Sequence, residues 1–198
     1  MTPALVTGGV ALGLGLVGLW QLGDGAATLA KATLSGPLIN HAWAETRETG
    51  SATRPWPWAD TWPVARLSFP RLARHVPVLS GADGSSLAFG PGHVAGTAAP
   101  GEPGSVAIAA HRDTHFNFLK DVEPGDRIEL EPADGPVMRY RVTGTAVVDS
   151  RTTGLTPASE AEDAAEGYRL TLITCYPFDA LEAGGPMRYL VFAEGGAG

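Results

Sequence analysis

The chain contains a single cysteine, Cys175. It ends the apolar run Arg169-Leu-Thr-Leu-Ile-Thr-Cys175 and stands directly before Tyr176-Pro177, where a strand has to stop. If side chains alternate along that run, Thr171, Ile173 and Cys175 share one face, and the sulfur sits at a strand mouth beside a loop. A lone cysteine is ordinarily a small buried hydrophobe. Here its company argues for chemistry. His111 closes a second apolar run, Ser105-Val-Ala-Ile-Ala-Ala-His111, again just before a polar loop. An imidazolium next to a thiol stabilises the thiolate, and the same ring can later protonate a leaving amine, so this pair suits acyl transfer through cysteine. Arg188 opens the run Met187-Arg-Tyr-Leu-Val-Phe192 and comes back beside Cys175 if the intervening residues form a hairpin. Its guanidinium would then stabilise a developing oxyanion or hold a substrate backbone.

The other histidines supply alternatives. His93, in Gly90-Pro-Gly-His-Val-Ala-Gly96, competes with His111 as the reactive imidazole. His111 and His115 are spaced as a helical metal pair, but the segment follows a strand and shows no third ligand, so no metal and no cofactor are expected. His41 and His75 carry no comparable signal. One thiol also excludes an internal disulfide and any multi-cysteine zinc or iron–sulfur site.

The elements that must position these residues read as strands. From Val64 onward, eight short apolar or alternating runs are separated by Gly, Pro and Asp-Gly signals. They are Val64 to Phe69, Val76 to Leu79, Val106 to Ala110, Arg127 to Glu131, Val137 to Thr143, Thr145 to Val148, Arg169 to Cys175 and Met187 to Ala193. No long helical period appears after position 60, although the acidic stretch Ala158 to Gly167 allows a short exposed turn of helix. Eight strands at this spacing predict an all-β closed barrel or a sandwich, with loops at 80–104, 111–126 and 176–186 free for function.

The start of the chain differs in kind. None of the 35 charged residues falls within the first 23 positions, and Pro3 to Leu22 is uncharged and rich in Leu, Val, Ala and Gly. Twenty residues of helix span roughly 30 Å, so residues 1–22 are expected to anchor the chain in a lipid bilayer. Residues 23–59 are expected to form a helical stalk interrupted at Pro37, followed by the linker Arg54-Pro-Trp-Pro-Trp-Ala-Asp-Thr-Trp-Pro63. All five tryptophans lie at or before Trp62, either as an interfacial belt or as rings packed back onto the domain at 60–198. Lys31, Arg47 and Arg54 follow the apolar run, and the positive-inside rule read literally leaves the domain in the cytoplasm. A formal net charge of -7 argues against nucleic acid as a general partner.

Taken together, Gly90 to Thr97, Pro100-Gly-Glu-Pro-Gly104, Val106-Ala-Ile-Ala-Ala-His-Arg112, Thr171-Leu-Ile-Thr-Cys-Tyr-Pro177 and Arg188-Tyr-Leu-Val191 resemble the sortases, membrane-anchored cysteine transpeptidases. The likeness covers roughly residues 60 to 193. In detail His111 to Phe116, Cys175 to Asp179 and Gly184-Gly-Pro186 look most like the sortases of Gram-negative proteobacteria. Ala110 departs from the glycine that commonly precedes the histidine in that family. The resemblance implies an eight-stranded sortase-type β-barrel, with Cys175 as nucleophile, His111 as general acid and base, Arg188 as stabiliser of substrate and oxyanion, and Thr174 and Tyr176 as substrate-binding neighbours. It further implies a substrate protein with a C-terminal Leu-Pro-x-Thr-Gly-like sorting signal, an accepting amine, and a domain on the periplasmic side of the inner membrane. The expectation from another class is a non-catalytic periplasmic β-barrel that binds such a peptide without turning it over.

Overall fold

The computed structural model of the chain describes residues 34–152, 167–180 and 184–197. The expected anchor, the first part of the stalk, and all of the expected acidic turn except Gly167 lie outside these residues. Among the described residues, no helix is long and apolar enough to cross a membrane. Eight strands close into a barrel in the order β1-β2-β3-β4-β7-β8-β6-β5. They are β1 (Pro63–Phe69), β2 (Arg74–Ser80), β3 (Gly92–His93), β4 (Gly104–Ala109), β5 (Arg127–Pro132), β6 (Met138–Asp149), β7 (Tyr168–Cys175) and β8 (Met187–Ala197). The pairs β2·β3 and β4·β7 are parallel, and the remaining pairs are antiparallel.

Period-two alternation builds the interior. Ala65, Leu67 and Phe69 of β1, Ile128 and Leu130 of β5, Met138, Tyr140 and Val142 of β6, and Leu170 and Leu172 of β7 all point inward and are buried. Closure leaves no free sheet edge, which is the usual solution for a small antiparallel fold.

The strand count agrees with the sequence, but two assignments differ. The runs expected as separate strands at 137–143 and 145–148 are one strand, β6, whose register against β8 shifts between Val142 and Gly144. Gly144, read as a break, marks a β-bulge, which bends a strand without ending it. The missing eighth strand is β3, two residues long, inside the segment expected as an open loop. Its Gly92 passes so close to the neighbouring chain that a Cβ would collide with the Gly81 carbonyl oxygen. Only glycine permits that approach.

The stalk expectation is also corrected. Residues 34–49 are helical (α1), and Pro37 does not interrupt them. Residues from Leu38 onward belong to one compact unit with the barrel. Ile39, Ala42, Trp43 and Thr46, spaced i, i+3, i+4, i+7, are buried and form the inward stripe of α1. The Arg66 guanidinium lies 5.9 Å from the Trp43 ring centroid, and Arg47 donates to the carbonyls of Pro132 and Ala133. Glu131 joins the two elements, accepting from Arg66 at 2.6 Å and facing Arg47 at 3.3 Å. In the Pro/Trp segment Trp56 packs edge-on against Phe89 at 5.0 Å, while Trp58 stays exposed.

If α1 is part of the domain core, Ile39→Ala should destabilise the folded chain by about 2–4 kcal/mol. Chemical denaturation of the full chain measures this, and an unchanged midpoint would show that the stripe is not buried in solution.

Candidate active site

Three adjacent strands carry the three residues singled out by chemistry. On β7, Leu170, Leu172 and Thr174 are buried inward, whereas Thr171, Ile173 and Cys175 alternate to the outer face of the barrel wall. The Cys175 thiol is free and partly exposed. The parallel neighbour β4 runs in register with Ala109 beside Ile173. One residue further, the Ala110 N–H donates to the Ile173 carbonyl at 3.1 Å. Continuing this register by two residues beyond Ala109 sets His111 beside Cys175. On the opposite flank, antiparallel β8 places Arg188 directly across from Cys175. The antiparallel return inferred for Arg188 is therefore present, and Cys175 lies between Arg188 on one flanking strand and the end of β4, where His111 follows, on the other.

Backbone and side-chain bonds fix this edge. The Thr174 hydroxyl is buried and donates to the Ala110 carbonyl at 2.8 Å, tying the residue before Cys175 to the residue before His111. Thr174, expected to touch substrate, is thus turned into the barrel with its hydroxyl engaged within the protein, because strand alternation sends its side chain opposite to that of Cys175. Tyr176 is also engaged. Its ring stacks on Tyr189 at 6.4 Å and meets Phe178 edge-on at 6.3 Å, with Phe178 and Tyr189 5.2 Å apart. This trio braces the base of the β7–β8 connection. The Tyr176 N–H donates to the Met187 carbonyl at 3.0 Å.

Arg188 spends one nitrogen on its own loop, where Nη1 donates to the carbonyls of Gly185 at 2.6 Å and Met187 at 2.9 Å. Those bonds hold one guanidinium nitrogen against its own loop, and the other guanidinium nitrogens supply further donors. Sequence reasoning passed over Arg112, which is 7% exposed and donates from Nη2 to the Ala180 carbonyl at 3.0 Å. Arg112 joins the His111 loop to the β7–β8 connection, and the only sequence signal for it was its place next to His111.

His111 itself is exposed, but the segment after it is not the open loop expected at 111–126. Phe116 and Leu119 are fully buried in the core cluster, the latter within the 3₁₀ turn Asn117–Asp121, and the Phe116 N–H donates to the His111 carbonyl at 3.0 Å. His115 is half-buried. Desolvation first, and then the neighbouring His111, hold its pKa below the usual 6.5. Among the described residues no group of three or more His, Cys, Asp or Glu side chains gathers as a metal site. His93, the competing imidazole, lies on β3. Its Nε2 is 2.9 Å from the Ala98 carbonyl and 3.0 Å from the Thr97 hydroxyl, so the ring is engaged in holding the β3–β4 turn.

Two outcomes check this geometry. Phe116→Ala should cost about 3–5 kcal/mol of stability by removing a buried ring, measured by denaturant titration; a loss within the range of surface substitutions would mean that the loop is not anchored there. For His115, the unfolded chain takes up a proton more readily than the folded one, so stability should fall as pH drops below 6.5. Denaturation midpoints compared at neutral and mildly acidic pH should show a smaller decline in His115→Gln than in the parent chain.

Comparison with known proteins agrees with the geometry. The sortase domain model matches residues 67–195. Sortase D of Bacillus subtilis (strain 168) is 29% identical over 128 residues, and the match spans 65% of this chain and 61% of that protein. A sortase D5 transpeptidase of Clostridium perfringens shares the fold, with a TM-score of 0.59 at 19% identity, over 84% of this chain and 98% of that one. The SrtA sortase from Actinomyces oris superposes with a TM-score of 0.59 at 25% identity, covering 74% of this chain and 86% of its own. With its eight-stranded closed barrel, its strand-end cysteine and a domain match across most of its length, the chain belongs to the sortase family.

Proposed function

We propose that this chain is a transpeptidase that cleaves a C-terminal Leu-Pro-x-Thr-Gly-like sorting signal and transfers the new carboxyl end to an amine. The observation that carries this reading is the register that sets Cys175 between the end of β4, where His111 follows, and Arg188 on β8. In the first half-reaction the Cys175 thiolate attacks the threonine carbonyl carbon. The resulting oxyanion is stabilised by the Arg188 guanidinium, and the peptide bond breaks as the departing amine takes a proton from His111. A thioester joins the substrate to Sγ. In the second half-reaction His111 accepts a proton from the incoming amine, that nitrogen attacks the thioester carbonyl, and the thiolate leaves.

A membrane-held position on the periplasmic side fits this chemistry, because exported substrates emerge there. Its support is the uncharged run Pro3 to Leu22. Placement with the sortases of Gram-negative proteobacteria rests on His111 to Phe116, Cys175 to Asp179 and Gly184-Gly-Pro186, whereas the relatives compared above come from Gram-positive organisms.

Incubation of the full chain with a library of sorting-signal peptides should give a Cys175 adduct by intact mass, together with transpeptidation product when an amine is added. Cys175→Ala should abolish both and leave the fold intact. No adduct across the library with a demonstrably reduced thiol would instead identify a peptide-binding barrel without turnover. Arg188→Lys should lower kcat/KM by about a hundredfold, because a point-charge ammonium cannot reproduce the planar fork. An unchanged rate would show that charge alone suffices at that position.

A further inference from the structure

The outer face of the barrel carries a second chemical feature, at the opposite end of β7 from Cys175. Arg127 of β5 pairs with Arg141 of β6, Arg141 pairs with Glu194 of β8, and Glu194 pairs with Arg169 of β7. These four side chains form one row across four neighbouring strands. Arg139, two residues before Arg141 and on the same face, adds a fourth guanidinium opposite Glu129. In a chain of net charge -7, this patch sets four cations against two carboxylates.

The row is incompletely paired. Arg139 stands 3.8 Å from Glu129, and Arg141 donates to the Gly125 carbonyl at 2.9 Å. Among the described residues, the side chains of Arg127 and Arg169 make no hydrogen bond or ion pair, and Glu194 closes none with either arginine beside it. Two like charges directly opposite each other on adjacent strands repel. Arg127 and Arg141 nonetheless occupy such a pair and line a surface cavity of about 390 Å³ with Arg139, Tyr140, Glu194 and Gly195. At the edge of this cavity β6 and β8 approach closely, since a Cβ on Gly195 would collide with the Arg139 carbonyl oxygen.

We infer that this cavity is a binding site for a phosphomonoester group, presented either by a soluble phosphate ester or by the headgroup of a lipid phosphomonoester. Three guanidinium groups around one space match an anion with several acceptor oxygens. A single carboxylate has one charge to offer and would face Glu194 as well. A phosphate dianion bridges Arg127 and Arg141, relieves their repulsion and still outweighs Glu194. The volume also leaves room for the alcohol part of an ester. The site is independent of the transpeptidase reading, since Arg169 lies six residues, about 20 Å along β7, from Cys175.

The test uses the full chain with two probes. Calorimetric titration with inorganic phosphate reads the soluble source. Co-sedimentation with vesicles of phosphatidylcholine alone, or mixed with an equal amount of phosphatidic acid, reads the headgroup. Binding to at least one anionic probe is expected, and the double variant Arg127→Gln, Arg141→Gln should weaken it by about tenfold or more. Glu194→Gln should strengthen it, and the control Arg54→Gln, which removes one positive charge at an exposed site ahead of β1, should leave it unchanged. The inference is overturned if neither probe binds, if Arg54→Gln weakens binding as much as the double variant, or if Glu194→Gln weakens it. All these positions are at the surface, so circular dichroism should report the parent fold, and the single Glu194 variant gives a decisive sign even if the double variant is lost.

Discussion

The parallel pairing of β4 with β7 is the constraint on which the rest depends. Parallel neighbours run in the same direction, so their C-terminal ends emerge together at one rim of the barrel. Each strand here delivers a reactive side chain just where regular pairing ends, His111 after β4 and Cys175 on β7. An antiparallel pair in the same place would have put the two residues at opposite rims. The Ala110 N–H bond to Ile173 and the Thr174 hydroxyl bond to Ala110 extend the pairing to the last residue before each functional group. Position is thereby set by backbone register, which is stiffer than any side-chain contact made by an exposed imidazole.

Antiparallel β8 completes the arrangement from the other flank, and a different class of contact holds its near end. The aromatic trio Tyr176, Phe178 and Tyr189 packs beneath the connection from β7 to β8, while buried Arg112 reaches from the His111 loop to the Ala180 carbonyl. Register thus locates the three candidate residues, and these side chains hold the loops that leave the strands. A guanidinium inside a packed region is costly unless its donors are engaged, which explains why Arg112 is spent on a carbonyl bond within the protein.

Much of this was legible in the sequence because it rests on period-two patterns and on strand ends. The runs closing at His111 and Cys175 read directly as strands with chemistry at their mouths. The details that escaped have identifiable reasons. β3 is two residues long, too short for any periodicity, and exists because Gly92 tolerates a backbone approach. Gly144 signals a break in pattern, and pattern alone does not distinguish a bulge from a turn. The stripe Ile39, Ala42, Trp43, Thr46 was present in the sequence, but its polar surroundings and Pro37 suggested a stalk. Thr174 was expected beside substrate, and strand alternation turns its side chain to the face opposite Cys175.

The same alternation that exposes Cys175 at one end of β7 exposes Arg169 at the other, on the same face. What differs is the neighbouring strands. Near Cys175 they bring Arg188 and the loop of His111, and near Arg169 they bring Glu194 and, one strand further, Arg141 and Arg127. A cross-strand row of charge costs little where its side chains reach water, but Arg127 opposite Arg141 gains nothing from that pairing. The barrel wall therefore carries two chemically distinct surfaces on a single strand. They are joined by one rigid element and separated by six residues of ordinary alternation, so an anion held at the arginine end has no contact with the reacting atoms at the cysteine end.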